Sequence, residues 1–253
     1  MSLYRCLIVA LSGGLLAVTG LAGIAQAQDL ALRQCAVPRE LVLDEPRLPL
    51  LAKRFQDHQP VTIVVIGGAS TAGSAAGDEG HSYPRRLEEA LRRGHPGATI
   101  TVINQGGTQR QTAEEMVARF PRDVFANNPD LVIWETGTVD AVRGIDIEEF
   151  TEALGAGIDA VRQHKAELML VDAQYNPETS SIINFSPYLD ALHRAADLDG
   201  IYVFRRYDMM RYWSDAGSFD FVARSRARQV ALAGEIYRCL GERMADAVNY
   251  AAR

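Results

Sequence analysis

The run Val61-Thr-Ile-Val-Val-Ile66, closed by Gly67-Gly68, constrains this chain more than any other segment. Every residue in it is branched at Cβ and all but Thr62 are apolar. Such a run suits an extended strand with neither face in water. A strand covered on both faces needs a layer of helices on each side. Shorter runs of the same kind recur at Ala98–Ile103, Leu131–Trp134, Leu168–Val171 and Ile201–Phe204. Between them lie segments of helical period, Tyr83–Arg93, Thr112–Phe125, Ile147–His164 and Ser186–Asp197, with a last one from about Arg224 to Val248. Thr112 and Glu115 have capping-box spacing, and Asp146 is placed to cap the helix beginning at Ile147. Strand alternating with helix predicts a three-layer α/β/α sandwich with a five-stranded parallel sheet, in one domain over 61–253. Ahead of it, 28–60 reads as an arm with Pro38, Pro46 and Pro49 and a short amphipathic helix at Leu48–Phe55.

The composition, 47% apolar and 23% charged, is that of an ordinary globular chain. A net charge of −6 argues against nucleic acid as partner, because phosphate contacts need concentrated Lys and Arg. Residues 1–27 read as an export signal: Arg5, then an apolar stretch from Cys6 to Ile24, then Ala25-Gln26-Ala27 as a cleavage site. The alternative for that stretch is a membrane anchor. Cleavage is the expectation, with a periplasmic or secreted product that meets the membrane only through its signal. In an oxidising compartment Cys35 and Cys239 form an even pair, expected to be a disulfide. Three cysteines exclude a multi-cysteine zinc module.

In open parallel sheets, sites form beyond the carboxyl ends of the strands. The segments there are Val65-Ile-Gly-Gly-Ala-Ser-Thr-Ala-Gly73, Asn104-Gln105-Gly106, Trp134-Glu-Thr-Gly-Thr-Val-Asp140 and Asp172-Ala-Gln-Tyr175. In that order, together with Phe204 to Trp213, they resemble the blocks of the SGNH (GDSL) hydrolase superfamily, in a bacterial exported subgroup. The resemblance implies a flavodoxin-like SGNH hydrolase fold and ester hydrolysis. It also implies four roles: a nucleophilic Ser on the first loop, a Gly N–H on the second and an Asn on the third as oxyanion donors, and a His near the C-terminus as base. Carried onto this chain, the nucleophile position falls on Ala69, the glycine on Gly106 and the Asn on Val139. The His position falls on Ala223 through Asp220-Phe-Val-Ala223, or on Ala231 when counted back from Tyr237-Arg-Cys239. The five histidines are His58, His81, His95, His164 and His193, so none lies in the C-terminal block.

These readings imply a non-catalytic protein of that fold, acting as a binding or accessory protein in the cell envelope. Its partner would be an active relative, or an envelope glycan or acyl ligand held by residues such as Gly68, Ser70, Gly106, Asp140 and Arg211. The alternative is an esterase on carboxylic or carbohydrate esters, rebuilt around Ser70 with His81 as base. Ser70 and Thr71 could equally serve the turn by accepting backbone N–H groups. Glu135, Asp140 and Asp172 share the strand-end face, and capping or solvation is their ordinary role. Arg205-Arg206 and Arg211-Tyr-Trp213 could hold an anion or sugar, or pack as a salt-bridged segment. No cofactor is expected, and no metal, since no pair of histidines has ligand spacing.

Overall fold

A computed structural model describes residues 34–253 apart from positions 44, 46 and 108. The export-signal reading of 1–27 therefore lies outside the described residues. The second of the chain's two units, Val37–Arg253, is compact. Within the second unit, Arg39–Leu41 forms a 3-10 turn. The elements that follow, in chain order, are α1 (Pro49–Gln56), β1 (Val61–Gly67), α2 (Tyr83–Gly94), β2 (Ile100–Gly106), α3 (Ala113–Val117), α4 (Phe120–Asp123), β3 (Leu131–Glu135), α5 (Thr138–Arg143), α6 (Ile147–Gln163), β4 (Glu167–Val171), α7 (Pro177–Ser180), α8 (Ser186–Asp199), β5 (Tyr202–Phe204), α9 (Arg206–Asp215) and α10 (Arg226–Ala251). Cys35 and Cys239 are each disulfide-bonded and fully buried.

All five strands are parallel, in the order β2-β1-β3-β4-β5. Side chains alternate between the two faces. Val64, Ile66, Val132, Trp134, Leu168, Leu170 and Val203 join one buried cluster with residues of α3, α6 and α8. The opposite parity, Ile63, Val65, Ile133, Met169 and Phe204, is equally buried beneath the layer that contains α2 and α10. These two helices approach closely at Gly241, where a β-carbon would stand 2.5 Å from Arg86 Cβ and 2.8 Å from Leu87 N. The sandwich is therefore the one the strand runs predict.

Four local features differ from the sequence expectations. The helix anticipated over Thr112–Phe125 is two short pieces, α3 and α4, with Pro121 in the first turn of the second. A proline is tolerated there but cannot continue a helix from behind. The expected capping box at Thr112 and Glu115 and the Asp146 cap are both present. Helices α5, α7 and α9 are not anticipated. Helix α5 is six residues set between left-handed glycines, Gly137 at φ 85° and Gly144 at φ 65°. Both cap positions favour glycine because a Cβ is strained at positive φ.

Candidate functional site

Strands β1 and β3 are neighbours whose chains continue to opposite sides of the sheet order, so a crevice opens between their carboxyl ends. After β1, residues 68–72 form a tight turn closed by Ala72 N–H donating to the Gly68 carbonyl (3.1 Å). Glu135 ends β3 directly beside it. Leu131 to Trp134 are all fully buried, so the Glu135 carboxylate emerges into an apolar setting and needs partners. It has four. Ser70 Oγ donates to Oε1 at 2.5 Å; Thr71 Oγ1 and Tyr83 OH donate to Oε2 at 2.5 and 3.0 Å. The Arg206 guanidinium pairs with Oε2 at 3.0 Å.

Arg206 is the first residue of α9 and is 1% exposed. It also donates to Ser70 Oγ (3.2 Å) and Thr138 Oγ1 (3.4 Å), tying together the loops after β1 and β3 and the start of α9. Burial pushes the Glu135 carboxyl up, but the Arg206 charge and the three hydroxyls outweigh it and hold it below the usual carboxylate range. Burial, with the Glu135 charge beside it, raises the Tyr83 phenol well above its ordinary value. Tyr237 is shifted upward for the same two reasons, burial first.

Beside this network lies a cavity of about 410 Å³. Gly68, Ala69, Ser70 and Glu135 line one side and Thr138, Val139 and Val142 another; Gln174 and Asn176 come from the loop after β4. A second cavity of about 480 Å³ shares Gln174 and Asn176 and is lined by Ala223, Phe221, Met210 and the apolar face of α10.

Of the sequence-derived candidates, Gly68, Ala69, Ser70 and Val139 meet at the first cavity. Gly106 stands behind the turn rather than on the lining. Its N–H donates to Asn104 Oδ1 (2.9 Å), and a β-carbon there would stand 2.2 Å from Ala72 N and 2.6 Å from Thr71 C. Gly106→Ala is accordingly expected to displace the turn and cost about 1–3 kcal/mol, read as a lowered melting temperature. An unchanged melting curve would contradict that close approach.

Ala223 sits in a turn closed on Asp220, three residues ahead of α10, whereas Ala231 lies within that helix. The loop ahead of the last helix thus selects Ala223 between the two counts. His81 bonds Asp78 through Nδ1 at 2.9 Å on an exposed turn, while Ser70 is engaged by Glu135 and Arg206. Among the described residues no backbone N–H donates to the Ser70 or Thr71 hydroxyl; both hydroxyls donate to the Glu135 carboxylate. Asp140 accepts from Ala113 N–H at the start of α3, and Asp172 from Tyr207 N–H at the start of α9, so both act at helix starts. Asp172 also meets His193 Nε2 at 3.1 Å. Burial raises both carboxyls. Arg211 is exposed and pairs with Asp208 (3.1 Å), away from both linings.

Sequence reasoning did not find the Glu135–Arg206 pair. The available signal was a carboxylate closing an apolar strand, which requires a buried cation, and an arginine directly after the apolar β5 supplies one. Among the described residues no group of three His, Cys, Asp or Glu could hold a metal ion, and no helix is long and apolar enough to cross a membrane.

Solved structures share this fold. An α/β hydrolase enzyme from a Lake Arreo metagenome superposes with a TM-score of 0.58 at 21% identity, covering 76% of this chain and 94% of that one. A lipase/acylhydrolase from Enterococcus faecalis gives 0.53 at 22% identity, covering 70% and 94%. The parallel sheet, its order and the strand-end crevice thus define an α/β protein of SGNH hydrolase-like fold. An arylesterase of Vibrio mimicus is 30% identical over 115 residues, which is 46% of this chain and only 56% of that protein. The model of the Non-GDSL lipase-like family matches residues 34–253, and the chain belongs to that family.

Proposed function

We propose that this protein is a non-catalytic, ligand-binding member of its family, exported and acting as a binding or accessory protein in the cell envelope. The observation that carries the reading is the lining of the strand-end cavity, which includes Ala69 and Val139, the residues that the resemblance sets at the nucleophile and oxyanion-Asn positions. A methyl group cannot attack a carbonyl, and an isopropyl group cannot donate to an oxyanion. Of the backbone donors, Gly106 N–H is engaged by Asn104. Losing a nucleophile or its base costs a serine hydrolase on the order of 10⁶ in rate, so little beyond binding is left. The cavity itself is open, at about 410 Å³, which supports retained binding.

A second reading rests on Ser70, whose Oγ lies 2.5 Å from the Glu135 carboxylate, close enough for a carboxylate base. Two features weaken it. Arg206 donates to the same Oγ and so occupies a lone pair needed for attack. The arginine also holds Glu135 in its ionised, weakly basic state. The test is p-nitrophenyl acetate turnover and fluorophosphonate labelling of the chain without 1–27. The expected result is background hydrolysis and no adduct. Turnover that disappears in Ser70→Ala would establish the esterase reading instead.

A further inference from the structure

We propose that the cavity beside Ala69 is a carboxylate site: it takes an organic acid, anion toward Arg110 and Arg143, in place of a neutral ester. This rests on the binding reading above and gives it a ligand class.

The charge lining the cavity carries the inference. Its acidic member is Glu135, and that carboxylate is already neutralised by Arg206 and three hydroxyl donors. The cationic members are Arg110 and Arg143. Arg143 is anchored: it shares its charge with Glu115 at 3.3 Å and donates to the Arg110 carbonyl, which ties its side chain to the Arg110 backbone. Among the described residues the Arg110 guanidinium has no hydrogen-bond or ion-pair partner. A planar guanidinium offers paired N–H donors that match a carboxylate and gain little from an ester oxygen.

Two further features agree. No acceptor among the described residues takes the Ala69 or Ser70 amide, and both residues line the same space. The rest of the wall is apolar at Ala69, Val139, Val142 and Phe185, suited to the body of an acid rather than to a bare ion. This positive mouth occurs in a chain of net charge −6, so it is local to the cavity.

The carboxylate could belong to an aliphatic acid or to an acidic sugar. Isothermal titration with octanoate and with glucuronate, each against its own methyl ester, separates the two sources. One acid is expected to bind at least about tenfold more tightly than its ester, and to weaken as salt is raised. Arg110→Gln is expected to lower that affinity about tenfold, while Arg110→Lys retains part of it. Arg110 is exposed, so circular dichroism of the variants should match the parent. An ester that binds as well as its acid, an Arg110→Gln variant with unchanged affinity, or no binding of either acid would overturn the proposal. A fluorophosphonate adduct would instead overturn the non-catalytic reading and leave the acid-to-ester comparison standing.

Discussion

Glu135→Gln is expected to destabilise the fold by about 3–5 kcal/mol, because it leaves the buried Arg206 guanidinium without its counter-charge. Arg206→Met should cost a similar amount from the other side, by stranding Glu135 among apolar strand ends. Urea denaturation of each single variant measures these costs. The double variant Glu135→Gln with Arg206→Met is expected to regain most of the loss, since removing both charges also removes both desolvation penalties. Costs that simply add in the double variant would show that the pair is not coupled.

The same pair sets the acid limb of stability. The folded Glu135 carboxyl is held below its ordinary value, so its contribution is complete above the unfolded-state pKa and is lost as pH falls through the folded one. Asp140 and Asp172 have the opposite sign. Burial raises their folded pKa, so ionisation above it opposes folding and acidification relieves that cost. Melting temperature followed downward from neutral pH should therefore fall less steeply in Glu135→Gln than in the parent. Parallel acid limbs in the two proteins would refute the role given to Glu135.

The sheet was legible because its signal is local. Val61–Ile66 can bury both faces only as a strand between helix layers, and the same argument applies to Leu131–Trp134 and Leu168–Val171. Helix α9 escaped notice for a related reason. Its Arg206, Asp208 and Arg211 mask a buried face of Met209, Met210 and Trp213, and Arg206 itself belongs to that buried face. The candidate site was legible in part. The turn after β1 and the loop after β3 are marked by glycines at strand ends, and the resemblance carried onto those loops brought Ala69 and Val139, with Ser70 beside the first, into consideration. The Glu135–Arg206 pair was not, because its members are joined only by strand order: β3 must lie next to both β1 and β4 before an arginine following β5 can reach a serine following β1.

Ala69→Ser alone is expected to restore no esterase turnover and to form no fluorophosphonate adduct. The substitution returns a hydroxyl to the cavity wall, but a hydroxyl is a weak nucleophile until a base takes its proton. The turn at Ala223 supplies no imidazole, and Glu135 is committed to Arg206, Ser70, Thr71 and Tyr83. Val139 still offers no donor, which by itself costs roughly 10²–10³ in rate. These losses act as a unit, so restoring one member recovers almost nothing while the base is missing. Adding Val139→Asn and Ala223→His places a donor on the same cavity and a base on the loop ahead of α10. The triple variant is the one expected to label and to turn over p-nitrophenyl acetate above background. Labelling of Ala69→Ser at the rate of the triple variant would mean that a base already faces position 69, and the reading of this cavity as stripped of acyl-transfer chemistry would have to be abandoned.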